Sequence, residues 1–371
     1  MLFEIPTGTK DFLPFEARWK KEIEDNLHQI LSSWGYQQVI TPTYEYLNTL
    51  AQGEQSRADY FSFFSEDGDT FALRNDFTTP IARLSKIALS QEPRPLRLYY
   101  MGNLFRLKRK ERKREFWQAG AELIGDGSKV ADAEVLALAM DTLEKIGMKN
   151  WSLDISHRGI VKGILEDSKL SSEAKKNAES LLIKKDYADL KKLVEDENSG
   201  FDLTLLPKLR GSGDILDVAE TKLTSPKAKL ALMEIAKTLD ALKPYNYKQI
   251  NIDLAMVKDF SYYTGMFFEA YAPGVARVIC TGGRYDKLLS NFGATEPAVG
   301  FAIGIDEVMD SLVFQKKDTA SISLPDLGIL YSQENYEEAV AVALKKRQGG
   351  LNVFIALENE SVPPAKEYIK I

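Results

Sequence analysis

Ala298-Val299-Gly300-Phe301-Ala302-Ile303-Gly304-Ile305-Asp306-Glu307 is the stretch on which this chain turns. It reads as a strand that runs into a Gly-flanked helix start, a good place to seat phosphate groups because unpaired N–H groups point outward there. An arginine at such a place would add charge-assisted bonds worth roughly 1.5–3 kcal/mol. Glu307 stands there instead. A carboxylate ~4 Å from a phosphate charge would add a repulsion on the order of 4 kcal/mol at an effective dielectric of about 20. The expectation is a nucleotide-type scaffold that has lost its nucleotide chemistry.

The 371 residues, 44% hydrophobic and 27% charged, fit a soluble globular chain long enough for more than one domain. A net charge of −6 argues against broad coating by nucleic acid. The single cysteine, Cys280, excludes an internal disulfide and a CxxC zinc framework, and the two histidines, His28 and His157, are far apart in sequence. A His-rich metal centre and a Ser-His-Asp triad are therefore not expected, and no cofactor is. No apolar run approaches the ~18 residues of a membrane span, and no cationic start precedes an apolar stretch, so a cytoplasmic protein without a membrane partner is expected.

Apolar residues at three- and four-residue spacing predict a helix over 14–34, closed by Gly35. Strands are expected at 36–40, 60–64 and 70–74, then a helix over 79–89. Residues 96–106 and 115–125 read as paired long strands, and 128–146 as an amphipathic helix capped by Ser128 with Val130, Leu136, Met140 and Leu143 on its apolar face. Residues 158–244, rich in Lys, Glu and Asp, read as a helical insertion outside the sheet. Strand patterns return at 249–254, 266–271 and 275–280, the last two around a Pro273-Gly274 turn. After a polar linker, 325–371 gives a small α/β unit. The main domain is thus placed at 1–157 with 245–315.

Gln118, Gly120 and Glu122 share one face of a strand by period two, so an amide and a carboxylate would enter one pocket with room left between them. A carboxylate suits an imidazole N–H, and Tyr262-Tyr263 would add an aromatic wall and a hydroxyl. Asp76 would meet an ammonium group, with Thr78 as a neutral acceptor. Taken singly, Glu122 also reads as a sheet-surface carboxylate and the tyrosines as core aromatics.

Taken together, segments spanning about residues 6–309 resemble the histidyl-tRNA synthetases. Gly35-Tyr36 through Thr41-Pro42 to Glu45 is similar to the family's dimer-forming first motif. Leu73-Arg74-Asn75-Asp76-Phe77-Thr78 looks like the loop that holds the amino group of histidine. Tyr100 to Arg106 with Phe116 to Glu122 resembles the second motif. Lys258 to Glu269 with Tyr262-Tyr263-Thr264-Gly265, then Gly282-Gly283-Arg284-Tyr285-Asp286, resembles the histidine-recognition segments. The resemblance implies an α+β fold, a class II aminoacyl-tRNA synthetase-like antiparallel sheet flanked by helices. It also implies a histidine site formed by Asp76, Thr78, Arg106, Gln118, Glu122, Lys258, Tyr262 and Tyr263.

Several positions depart from that pattern. Lys258 stands where synthetases have a catalytic arginine, and a lysine cannot make its planar two-pronged contact. Glu307 replaces an ATP-binding arginine, Leu107-Lys108 replaces a His-Glu pair, and most of an anticodon-binding domain is missing after residue 325. These departures resemble the regulatory subunits of short-form ATP phosphoribosyltransferase, which do not aminoacylate. That resemblance implies a non-catalytic regulatory subunit that binds L-histidine, self-associates as a dimer within a hetero-oligomer with the catalytic phosphoribosyltransferase subunit, and serves the first step of histidine biosynthesis and its feedback control. The alternative is an active, divergent histidyl-tRNA synthetase. The run Lys108-Arg109-Lys110-Glu111-Arg112-Lys113-Arg114 reads as a solvated hairpin tip or as a contact for phosphate, an acidic partner or RNA, although tRNA is not an expected partner.

Overall fold

The computed structural model describes residues 3–53, 57–107, 113–247, 250–258, 263–315 and 324–371. The chain divides into two compact units, residues 1–10 with 24–315, and residues 11–23 with 316–371.

The first unit is built on a nine-stranded sheet among the described residues, in the order Gln37–Gln38, Leu96–Phe105, Glu115–Ile124, Ala298–Gly304, Cys280–Arg284, Met266–Tyr271, Ser152–His157, Ile250–Asp253, Arg210–Gly211. Leu96–Phe105 to Ser152–His157 pair antiparallel throughout. Parallel pairing is confined to Gln37–Gln38 on Leu96–Phe105 and Ile250–Asp253 on Ser152–His157. The α+β, class II synthetase-like architecture is thus present. The long strands form where alternation predicts them, because Leu96, Leu98, Tyr100 and Leu104 fall on one face and pack with Phe77, Ile81 and Phe116.

The strand expected at 275–280 lies elsewhere. Gly274 turns the chain at φ +81, Ile279 donates to the Ala270 carbonyl at 2.9 Å, and the strand is Cys280–Arg284, through Gly282 and Gly283. Residues 158–244, read as wholly helical, also lend Arg210–Gly211 to the sheet edge.

The helix Lys129–Lys145 begins with Ser128 accepting from the Ala131 N–H, as its sequence predicts. It is not amphipathic in place. Leu136, Ala137, Leu138, Ala139 and Met140 are all buried, whereas Val130 is exposed. The reason is tertiary, since sheet strands flank the helix and so does Pro226–Leu242. Its Asp132 carboxylate, inaccessible to solvent, pairs with the Arg284 guanidinium at 2.6 Å and so anchors the helix to Cys280–Arg284.

The second unit carries a three-stranded parallel sheet, Val353–Leu357, Leu327–Tyr331, Glu367–Lys370, with the helix Tyr336–Gln348. Leu327, Ile329, Ala339 and Ala343 form its core. No described helix is long and apolar enough to cross a membrane.

Removing one partner of a buried ion pair strands the other, at a cost of about 3–5 kcal/mol. Asp132→Ala should therefore lower the unfolding free energy by about that amount in urea denaturation, whereas Asp189→Ala, in an exposed pair with Lys192, should change it by less than about 1 kcal/mol.

Candidate functional site

A cavity of about 200 Å³ opens on the sheet face where Glu115–Ile124, Ala298–Gly304 and Cys280–Arg284 lie side by side. The register sets its floor. Gly283, Gly300 and Glu122 make one cross-strand row, and Thr281, Ala302, Gly120 and Tyr100 make the next. A Cβ on Gly300 would lie 1.7 Å from Glu122 Oε2, and one on Gly120 would lie 2.3 Å from the Tyr100 hydroxyl. Glycine at these places is what lets the two polar side chains lie over the sheet.

Of the eight residues expected to form the site, Asp76, Thr78, Arg106, Gln118, Glu122, Lys258 and Tyr263 line this cavity. Tyr262 lies outside the described residues. Glu122 is 2% exposed, with Thr78 Oγ1 donating to Oε1 at 3.1 Å and the Tyr285 hydroxyl donating to Oε2. Burial pushes its carboxyl up to about 8, the two hydroxyls draw it down, and the charge of Asp76 adds to the rise. Asp76 accepts from the Thr79 N–H at 2.7 Å, and burial raises its carboxyl too, against the pull of that bond and of Arg106. Arg106 spans the Asn75 carbonyl at 3.2 Å and the Phe116 ring, 4.9 Å from its centroid.

Lys258 enters the cavity already engaged. Its ammonium lies 2.5 Å from Glu269 Oε1 and donates to Thr281 Oγ1 at 2.8 Å. Glu307 also differs from the expectation of a bare charge. It is buried against Gly304, and its Oε1 lies 3.3 Å from the Arg277 guanidinium, so a cation from the turn preceding Cys280–Arg284 offsets the repulsion that the sequence implies. Of the basic run, residues 108–112 lie outside the described residues, and Lys113 reaches Asp310 at 3.7 Å.

Among the other residues that line the cavity, Tyr285 and Tyr100 were not among the expected ligand contacts. Tyr285 lies inside the Gly282-Gly283-Arg284-Tyr285-Asp286 segment, and its hydroxyl could have been suspected from the glycines before it. Tyr100 faces Gly120 across the strand pair, an aromatic-over-glycine signal readable once the register is known. No sequence pattern pairs Arg277 with Glu307.

Residues 8–308 match the family described as histidyl-tRNA synthetase. The chain belongs to this family. It is 35% identical to the histidine–tRNA ligase of Methanocaldococcus jannaschii, over 99% of this chain and 89% of that protein. It is 34% identical to the ATP phosphoribosyltransferase regulatory subunit of Acetivibrio thermocellus, over 98% and 89%, and 35% identical to that of Moorella thermoacetica, over 96% and 93%. A Bacillus halodurans C structure described as an ATP phosphoribosyltransferase regulatory subunit/histidyl-tRNA synthetase aligns with a TM-score of 0.89 and 32% identity, over 100% of this chain and 98% of that one. The family member thus resembles the regulatory subunits, and ligase and regulatory relatives stand at equal distance in identity.

Between about pH 4.5 and pH 8 the unfolded chain has released the Glu122 proton while the folded chain retains it, so this group lowers stability progressively as pH rises through that window. Glu122→Gln removes the dependence. Its melting temperature relative to wild type should rise between pH 5 and pH 8.5, followed by circular dichroism without ligand; a constant difference would mean that Glu122 is ionised in the empty cavity.

Proposed function

We propose that this chain is a non-catalytic regulatory subunit of ATP phosphoribosyltransferase that binds L-histidine in the Glu122 cavity. The observation that carries the reading is the buried Glu122 carboxyl, held by two hydroxyls in a cavity that also gathers Asp76, Thr78, Gln118 and Tyr263. An imidazole N–H would face Glu122, an ammonium group would face Asp76, and Arg106 or Lys258 would face the ligand carboxylate. The regulatory names of relatives at 34–35% identity support the role. So does the engagement of Lys258 by Glu269, which holds it where the resemblance implies a catalytic arginine.

Regulation follows as linkage. Histidine that binds one quaternary state more tightly raises that state's population, and the catalytic partner's ligands change histidine affinity by the same factor. The catalytic subunit would be the partner in a hetero-oligomer that carries out the first step of histidine biosynthesis. Within it the chain would self-associate as a dimer. The sheet of Tyr44–Tyr46, Thr70–Leu73 and Ser62–Phe64 supports this, because it exposes Tyr44, Tyr46 and Phe63 on one face. The domain assignment of 1–157 with 245–315, 158–244 and 325–371 is part of the same proposal.

The second reading, an active divergent synthetase, is favoured by one observation, the Arg277 cation beside Glu307. Histidine-dependent exchange of pyrophosphate into ATP separates the two. The regulatory reading expects no exchange, together with histidine binding in the roughly micromolar to millimolar range by calorimetry, lost in Glu122→Ala. Heat that is unchanged in that variant would remove the site assignment. Phe63→Asp should shift the isolated chain from dimer to monomer in light scattering; a monomeric wild type would count against self-association.

A further inference from the structure

A second cavity, of about 230 Å³, shares Lys258 and Tyr263 with the first as lining residues. Its other walls come from the helices Arg158–Asp167 and Ser172–Lys184 and from the strand Met266–Tyr271. Val161, Leu165, Tyr263 and Phe267 are buried and give it an apolar floor, the two rings stacked with centroids 5.9 Å apart. Most of the charged groups around that floor are engaged elsewhere: Lys258 with Glu269, Glu166 with Lys162 and Lys227, His157 with Glu234. Arg158 adds a further cation. Lys175 and Glu179 differ from the rest. They line the cavity half-buried, one turn apart on Ser172–Lys184, and among the described residues neither side chain makes an ion pair, with the other or with a neighbour.

An unpaired cation and an unpaired carboxylate, their Cβ atoms about 5–6 Å apart beside an apolar floor, call for a ligand with both charges at one end and hydrocarbon at the other. We propose that this cavity is a second amino-acid site, one that takes an α-amino acid with an apolar or aromatic side chain, its carboxylate on Lys175 and its ammonium group on Glu179. A simple anion there would face Glu179 and a simple amine would face Lys175, so neither satisfies both groups. Because Lys258 and Tyr263 stand between the two cavities as common lining, a ligand in one changes affinity in the other, by the same factor in both directions. That link rests on the reading of the first cavity as a histidine site; the second site itself does not.

The test is isothermal titration of the full chain with L-phenylalanine, beside 3-phenylpropionate, which lacks the ammonium group, and phenethylamine, which lacks the carboxylate. Phenylalanine should bind in the roughly millimolar range or tighter, and at least about tenfold more tightly than either half-ligand. Lys175→Met and Glu179→Gln should each weaken it at least about tenfold, whereas Lys176→Met, at an exposed position on the same helix, should leave it unchanged. The proposal is overturned if phenylalanine does not bind, if either half-ligand binds as well, or if the Lys175 and Glu179 variants, folded by circular dichroism, bind as wild type does. With L-histidine saturating, phenylalanine affinity should shift by at least about threefold without being lost. Outright displacement would put phenylalanine in the first cavity and overturn the proposal, and an unshifted affinity would overturn the link. A chain that binds no histidine removes the reading of the first cavity, while the phenylalanine titrations still decide the second.

Discussion

Taking a carboxyl group out of water is among the costlier things a fold can do, and Glu122, 2% exposed in the middle of a sheet, is the constraint around which this one is arranged. The strand opposite must be bare at that point, because any side chain on Gly300 would occupy the space of the carboxyl oxygen. Hydroxyl donors must come from outside the strand pair, and they do, from Thr78 at the start of one helix and from Tyr285 just beyond a strand. Burial still raises the proton affinity of the carboxyl, against the pull of the two hydroxyls.

A sheet with so many glycines near its centre is poor in the cross-strand side-chain contacts that stabilise sheets. Stiffness is supplied instead by the packing around it. The helix Lys129–Lys145 is buried on nearly every side, and Asp132 ties it to Arg284, the residue before Tyr285. On the neighbouring strand, Glu269 holds Lys258 and accepts from the Tyr271 hydroxyl. The polar site thus stands on ion pairs that are themselves largely out of solvent.

Much of this was legible in the sequence wherever a local pattern coincides with its tertiary use. The alternation of 96–105 and 115–124, the Ser128 cap and the period-two placement of Gln118 and Glu122 all report directly on structure. The segment Cys280–Arg284 was hidden because Gly282-Gly283 carries no strand preference, while the apolar run just before it does. Val130 misled because an apolar residue at the right spacing need not be buried when the helix is enclosed on its other sides. The charge at Glu307 was visible in the sequence. Its compensation was not, because Arg277 reaches it from a turn thirty positions earlier, and ion pairs at that range leave no periodic trace.

A floor made of backbone has a consequence for how such a protein can diverge. Where a binding surface is lined by side chains, single substitutions can resize it in small steps. Here any replacement of Gly300 or Gly120 would strike backbone or a polar head group within van der Waals distance, so the floor offers no graded alternatives. Change is channelled to the rim, to positions such as Thr78, Gln118, Lys258 and Glu307. One chassis can therefore pass from one occupation to another through a few border residues while its centre stays fixed.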